Sequence, residues 1–214
     1  MTYLQLVNNV LRRMREDEVL SVDANTYSKM VGDFVNDAQK LIADAWDWSQ
    51  LRQVITVNTI VDVSDYALTG AGYDSKIMTA WNDTSNLWLE YQPTQWIERA
   101  YYTAEVPVGA PTYYTNYNMD AGVPQIKLYP KPNDVYSLVF NVVIRDVTLT
   151  NNDDVVLLPT LPIIHLAIAL LARERGETGG TSTAEYFGLA DKYLSDAIAH
   201  DANRHPEELT WNYI

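Results

Sequence analysis

Apolar residues recur at the three-and-four spacing of an α-helix over residues 1–50 of this chain, vanish as a pattern over residues 51–150, and resume over residues 151–202. A helical set interrupted by strand-type sequence and then continued admits few folds. The plan it predicts is α+β: a helical bundle formed by the N- and C-terminal helices, with an antiparallel β-sheet domain inserted between them, and a tail at 203–214. With 214 residues and 47% hydrophobic content, the chain is long enough to bury a core in each part.

Thr2 and Gln5 have capping-box spacing and predict the start of a first helix, with Leu4, Val7, Val10, Leu11 and Met14 as its apolar stripe. A second helix is predicted from Thr26 to Trp46, carried by Tyr27, Met30, Val31, Phe34, Ala38, Leu41, Ile42 and Ala45. A third begins near Thr160 to Pro162, is apolar almost all round, and stops at Gly176 after Arg173 and Arg175 in its last turn. Ser182 and Glu185 repeat the capping-box spacing and open a fourth helix, whose inward side is Tyr186, Phe187, Ala190, Tyr193, Leu194, Ala197 and Ile198.

Between the helical parts, Gln53–Val57, Ile60–Leu68, Ser75–Trp81 and Asn86–Tyr91 are rich in β-branched and aromatic residues and separated by turn residues, as antiparallel strands are. Pro93 to Ala104 predicts a short helix, and 106–123 an irregular excursion around a short strand at Tyr113. Gln125–Tyr129 and Val135–Arg145 are predicted to form a hairpin across Pro130 to Asp134. In its second strand Tyr136, Leu138, Phe140, Val142 and Ile144 fall on one face, which should be core.

A formal charge of -13 argues against a protein that grips nucleic acid, since phosphate binding needs clustered Lys and Arg. Arg12, Arg13 and Arg15 form the densest basic group and are read as cations complementing a helix C-terminus. There is no cysteine, hence no disulfide, thiolate nucleophile or cysteine zinc site. The apolar stretch from Val155 to Ala172 is interrupted by Pro159, Thr160, Pro162 and His165, so a buried helix is expected and no membrane span. The opening residues lack the pattern of a secretion signal.

His165, His200 and His205 are not in metalloprotease or triad arrangements, and adjacent acids such as Asp153 and Asp154 read as solvated turns. Neither Gly70-Ala71-Gly72 nor Gly179-Gly180 has the setting of a phosphate cradle. No catalytic residue, cofactor or metal is expected, and no enzyme activity.

Two regions are left as candidates for partner contact. Leu209, Trp211, Tyr213 and Ile214 lack an obvious core position, and such residues gain burial by meeting a partner. Ten of the 15 tyrosines and three of the six tryptophans fall between Tyr66 and Tyr136. Within that stretch Tyr101, Tyr102, Tyr113, Tyr114 and Tyr117 are the candidates for contact with another protein or a neighbouring subunit.

Ala45-Trp46-Asp47-Trp48-Ser49 before the first strand, Ile126-Lys-Leu-Tyr-Pro-Lys-Pro132 before the long strand, the acidic turn leading to Leu158-Pro159, and Ala172-Arg-Glu-Arg-Gly176 carry a resemblance. The sequence resembles the head-to-tail adaptor (connector) proteins of short-tailed bacteriophages, of the tail tubular protein A type. The resemblance implies a structural virion protein at the tail or neck, assembled in the host cytoplasm. It implies a ring, usually a dodecamer, docked on the portal protein ring, with the tail (nozzle or tubular) protein below and DNA passing through without specific binding. On that reading Leu209, Trp211, Tyr213 and Ile214 meet the portal. The alternative from a different class is an aromatic-rich carbohydrate-binding or adhesion module of a phage tail, motivated by the tyrosine density.

Overall fold

The computed structural model describes residues 1–102, 106–145, 147–176 and 181–204, and of residues 181–183 the backbone only. Helices and strands are both present, as an α+β chain requires, and the chain separates into two compact units, Met1–Leu51 with Val147–Ile214 and Arg52–Asp146.

In the first unit α1 spans Tyr3–Arg13, and the capping box is formed: Gln5 N–H donates to Thr2 Oγ1 at 3.3 Å and Thr2 N–H to Gln5 Oε1 at 3.0 Å. Two more N-terminal donors of the helix reach the acidic turn that follows residue 149. Tyr3 N–H donates to the Asp154 carbonyl at 2.9 Å and Leu4 N–H to that of Asn152 at 3.1 Å. The Asp154 carboxylate holds this turn by accepting from the N–H groups of Thr150 and Asn151, both at 2.7 Å. Those bonds depress its pKa below the ordinary carboxylate value. The buried stripe of α1 is Tyr3, Leu6, Val7, Val10 and Leu11; Leu4 and Met14 lie at its margins.

Helix α2, Thr26–Ala45, is rotated relative to the expected stripe. It buries Ser28, Val31, Gly32, Val35, Ala38, Gln39, Ile42 and Ala43, leaving Tyr27, Met30 and Phe34 half-buried and Leu41 and Ala45 exposed. Close approach and polar pairing explain the rotation. A Cβ on Gly32 would sit 2.5 Å from Tyr3 Oη, so only a glycine lets α1 come this near. Asn36 exchanges two hydrogen bonds of 3.0 Å with the backbone of Leu149, and Gln39 donates to the Val147 carbonyl. The amides thus fasten the returning chain to the face that a count of apolar residues assigns elsewhere.

Helix α4, Thr160–Glu174, buries Pro162, Ile163, Ile164, Ala167 and every residue from Ile168 to Ala172, packing on α1, α2 and α5. Gly176, at φ +79°, ends it in the left-handed conformation. Helix α5, Thr181–Ala202, lies against α4 with Tyr186, Phe187, Tyr193, Leu194, Ala197 and Ile198 half-buried. The expected Ser182 cap lies outside the described side chains. Near the end of α5, the buried Asp201 carboxylate accepts from Ser49 N–H at 3.0 Å, Ser49 Oγ at 2.5 Å and Trp46 Nε1 at 3.2 Å. Trp48, fully buried beside them, donates from Nε1 to the Ile42 carbonyl at 2.7 Å.

The second unit is a sandwich of two four-stranded sheets. One has the order β1-β8-β3-β4 and the other β2-β7-β6-β5. The strands are β1 Arg52–Asn58, β2 Asp65–Ala67, β3 Ser75–Asn82, β4 Leu87–Trp88, β5 Glu90–Tyr91, β6 Tyr113–Asp120, β7 Val123–Tyr129 and β8 Ser137–Ile144; α3, Thr94–Tyr101, follows β5. Tyr66, Leu68, Tyr114, Ile126 and Leu128 from one sheet meet Ala80, Leu138, Phe140 and Val142 from the other in one core.

Three expectations are corrected here. Strands β7 and β8 do not form a hairpin: β7 pairs with β2 and β6, and β8 with β1 and β3. Both carry an alternating apolar face, and alternation does not distinguish two strands side by side from two strands facing each other across a core. The excursion around Tyr113 is the eight-residue strand β6. The domain is not wholly antiparallel, because β5 and β6 pair in parallel, Glu90 with Tyr113 and Tyr91 with Tyr114. Helix α3 connects them as a crossover, which a parallel pair requires.

Replacing the buried Asp201 with Ala removes the acceptor of three part-buried donors, and the first unit should lose about 2 kcal/mol in denaturant unfolding. The depressed pKa of Asp154 gives a stabilisation that is complete above the ordinary carboxylate value and is lost as pH falls through the folded value. Acid unfolding of wild type against Asp154→Ala should show this term in the wild type and its loss in the variant.

Candidate partner-binding surface

The outer face of the β2-β7-β6-β5 sheet is built by strand parity. Tyr114, Ile126 and Leu128 point into the core, so their neighbours Tyr113, Thr115, Lys127 and Tyr129 point outward, in register as Tyr113 with Tyr129 and Thr115 with Lys127. Pro93 immediately precedes α3, which folds back onto β6 with Ile97 fully buried. Thr94 Oγ1 lies 3.2 Å from both Thr115 Oγ1 and the Asn116 carbonyl, fixing the helix on the strand.

Trp96 of α3 packs on Tyr113 at 5.1 Å and edge-on to Tyr129 at 5.6 Å, centroid to centroid. Tyr101 meets Tyr129 at 5.7 Å and donates its hydroxyl to the Leu128 carbonyl at 2.6 Å. Burial pushes the Tyr101 phenol up to about 12, so it stays a neutral donor at physiological pH. Lys127 Nζ lies 5.1 Å from the Tyr101 ring and 4.4 Å from the Tyr117 ring, with Asp65 3.7 Å away on its other side. The register shifts between Asn116 and Asn118, so Tyr117 is the extra residue of a bulge, a device that re-aims a side chain.

The result is an aromatic surface around one cation, with Trp96 41% exposed, Tyr117 44% and Tyr102 90%. Rings held by each other and by the sheet lose little freedom on binding, which is the property of a protein-contact surface. Of the five tyrosines predicted from sequence, Tyr101, Tyr113 and Tyr117 belong to this surface and Tyr102 projects beside it. Tyr114 does not: at 5% exposed it is core, edge-on to Phe140. Trp96, Lys127 and Tyr129 share this face and were not named from sequence; the outward parity of positions 113, 115, 127 and 129 was the signal. Leu209, Trp211, Tyr213 and Ile214 lie outside the described residues, as does His205.

Nothing in this arrangement supplies a nucleophile and base. In the first unit, His165 stacks on Tyr193 at 4.7 Å, and its Nε2 is 2.9 Å from Arg13 Nη1. Burial first, and Arg13 second, hold its pKa below the ordinary value, so it is neutral at pH 7. His200 and Arg204 line a groove of roughly 500 Å³ with Trp48, Leu161, Tyr193 and Asp201. No cluster of three or more metal-ligating residues occurs among the described residues. No helix among them is long and apolar enough to cross a membrane.

Residues 1–210 of the chain match the SU10 adaptor protein family. A comparison with curated proteins finds no match. Tyr102→Ala, at a ring that is 90% exposed, should leave the melting temperature of the sandwich nearly unchanged and weaken binding of a protein partner at this face by about tenfold, read by titration calorimetry.

Proposed function

From the premise that this chain belongs to the SU10 adaptor protein family, a structural component of the phage virion at the head–tail junction, we propose that it forms the ring joining portal to tail. A match running over residues 1–210 supports the reading, because it takes in both units of the chain. In this reading the helices of the two chain ends act as one bundle, portal and tail bind opposite ends of the ring, and the aromatic surface around Lys127 receives the tail protein.

The acidic composition supports a passage for DNA. A chain of charge -13, repeated around a ring, gives a lumen of negative potential that repels phosphate. Aromatic density by itself fits the carbohydrate-binding alternative too, but Trp96, Tyr113 and Tyr129 pack against one another. Sugar recognition uses open ring faces, so the arrangement favours protein contact.

Size-exclusion chromatography with light scattering, on the protein alone and mixed with portal rings of the same phage, tests the proposal. The expected result is a stoichiometric gain of mass on the portal, from which the copy number follows. No association with intact portal rings would contradict it.

A further inference from the structure

Strand β1 is an edge strand of unusual openness. It pairs along all seven residues with β8, from Arg52 with Val143 to Asn58 with Ser137, without a bulge, and among the described residues it ends the sheet order. Thr59 N–H donates to the Tyr136 carbonyl at 2.9 Å, in the same register. By the alternation of an antiparallel ladder, Val57, Ile55 and Gln53 then bond to β8, and Val54, Thr56 and Asn58 turn their N–H and C=O groups to the free edge.

Folded proteins blunt such edges with proline, inward charge, bulges or short strands. Gln53-Val-Ile-Thr-Val57 has none of these. Apolar side chains gather here as well: Val54 and Ile60 are each 62% exposed, Val61 and Val63 are exposed, and Ile55 and Val57 are only partly covered although they pack on the sandwich core. The other sheet does not shelter this end, since its edge strand β2 is three residues long.

One segment of the chain fits that edge. Leu209-Thr-Trp-Asn-Tyr-Ile214, outside the described residues, alternates apolar and polar residues from Leu209 to Tyr213 with the period of two that a strand requires and is rich in strand-forming types. Its six residues come within one of the seven of β1.

We propose that Leu209–Ile214 of one copy adds as a strand to the free edge of β1 in a second copy, laying Leu209, Trp211 and Tyr213 over Ile55 and Val57. This rests on the ring reading, because a ring joins unlike surfaces of successive copies and strand addition is such a head-to-tail contact. It gives to a second copy the segment that the sequence alone assigned to the portal.

Two full-length variants test it without any portal present. Trp211→Asp keeps an open edge and spoils the segment. Thr56→Pro keeps the segment and blocks the edge, at a position whose N–H does not bond to β8 and where an edge strand tolerates proline. Val54→Lys serves as a second edge variant should Thr56→Pro fail to melt like the wild type. The expected result is that each variant alone runs as a monomer at the highest soluble concentration, and that mixing yields a one-to-one dimer by light scattering. In that dimer the Val54, Thr56 and Asn58 amides of the Trp211→Asp copy should exchange about tenfold more slowly or less.

No dimer in the mixture overturns the proposal. So does slow exchange of the wild-type β1 amides that is lost in Trp211→Asp but independent of concentration, since that pattern assigns the segment to its own chain. Slow exchange arising only when portal is added also overturns it, and gives the edge or the segment to the portal. Portal binding by the wild type is read separately, so loss of the strand-addition proposal and loss of the adaptor reading are told apart.

Discussion

Helix α4 is apolar on every side, and a helix of that kind is soluble only when other elements enclose it. The enclosing elements come from both ends of the chain: α1 and α2 precede the sandwich in sequence and α5 follows α4. The first unit therefore has to gather its two sequence-distant halves before its core exists. It does so with polar fasteners as much as with apolar burial. The 149–154 turn caps α1, Asn36 and Gln39 hold the returning chain, and Asp201 ties the end of α5 to Ser49 and Trp46.

The sandwich is a compact unit in its own right. Its core is its own, drawn from the inward faces of two sheets, and its outer surface can be given to recognition. Helix α3, placed as the crossover between the parallel β5 and β6, brings Trp96 over the same tyrosines that strand parity turns outward. A connection demanded by sheet topology thus also builds the candidate contact surface.

Local signals in the sequence were legible where one short-range bond decides the outcome. Thr2 and Gln5 mark the start of α1, Gly176 ends α4, and Pro93 precedes α3. Pairing at long range was not legible in the same way. The apolar faces of β7 and β8 are equally consistent with a hairpin and with opposite walls of a core, and only the assembled sheets decide. On α2 the apolar count pointed to Tyr27, Phe34 and Leu41, whereas glycine clearance and two amides set the buried face. For the candidate contact surface, tyrosine density singled out a stretch of chain, but which of its rings share a face depends on a bulge and a register that composition does not carry, and Tyr114, expected on the surface, is core.

The proposed role is positional: copies of this chain would encircle the DNA passage at the junction of head and tail. A reconstruction of the neck of the intact particle, without imposed symmetry, tests it most directly. The account predicts a ring of repeated density between portal and tail into which both the α4-centred unit and the sandwich fit, with the aromatic face of each sandwich against the tail protein. Density for this chain at fibre tips or on the capsid exterior, with another protein filling the junction, would contradict it.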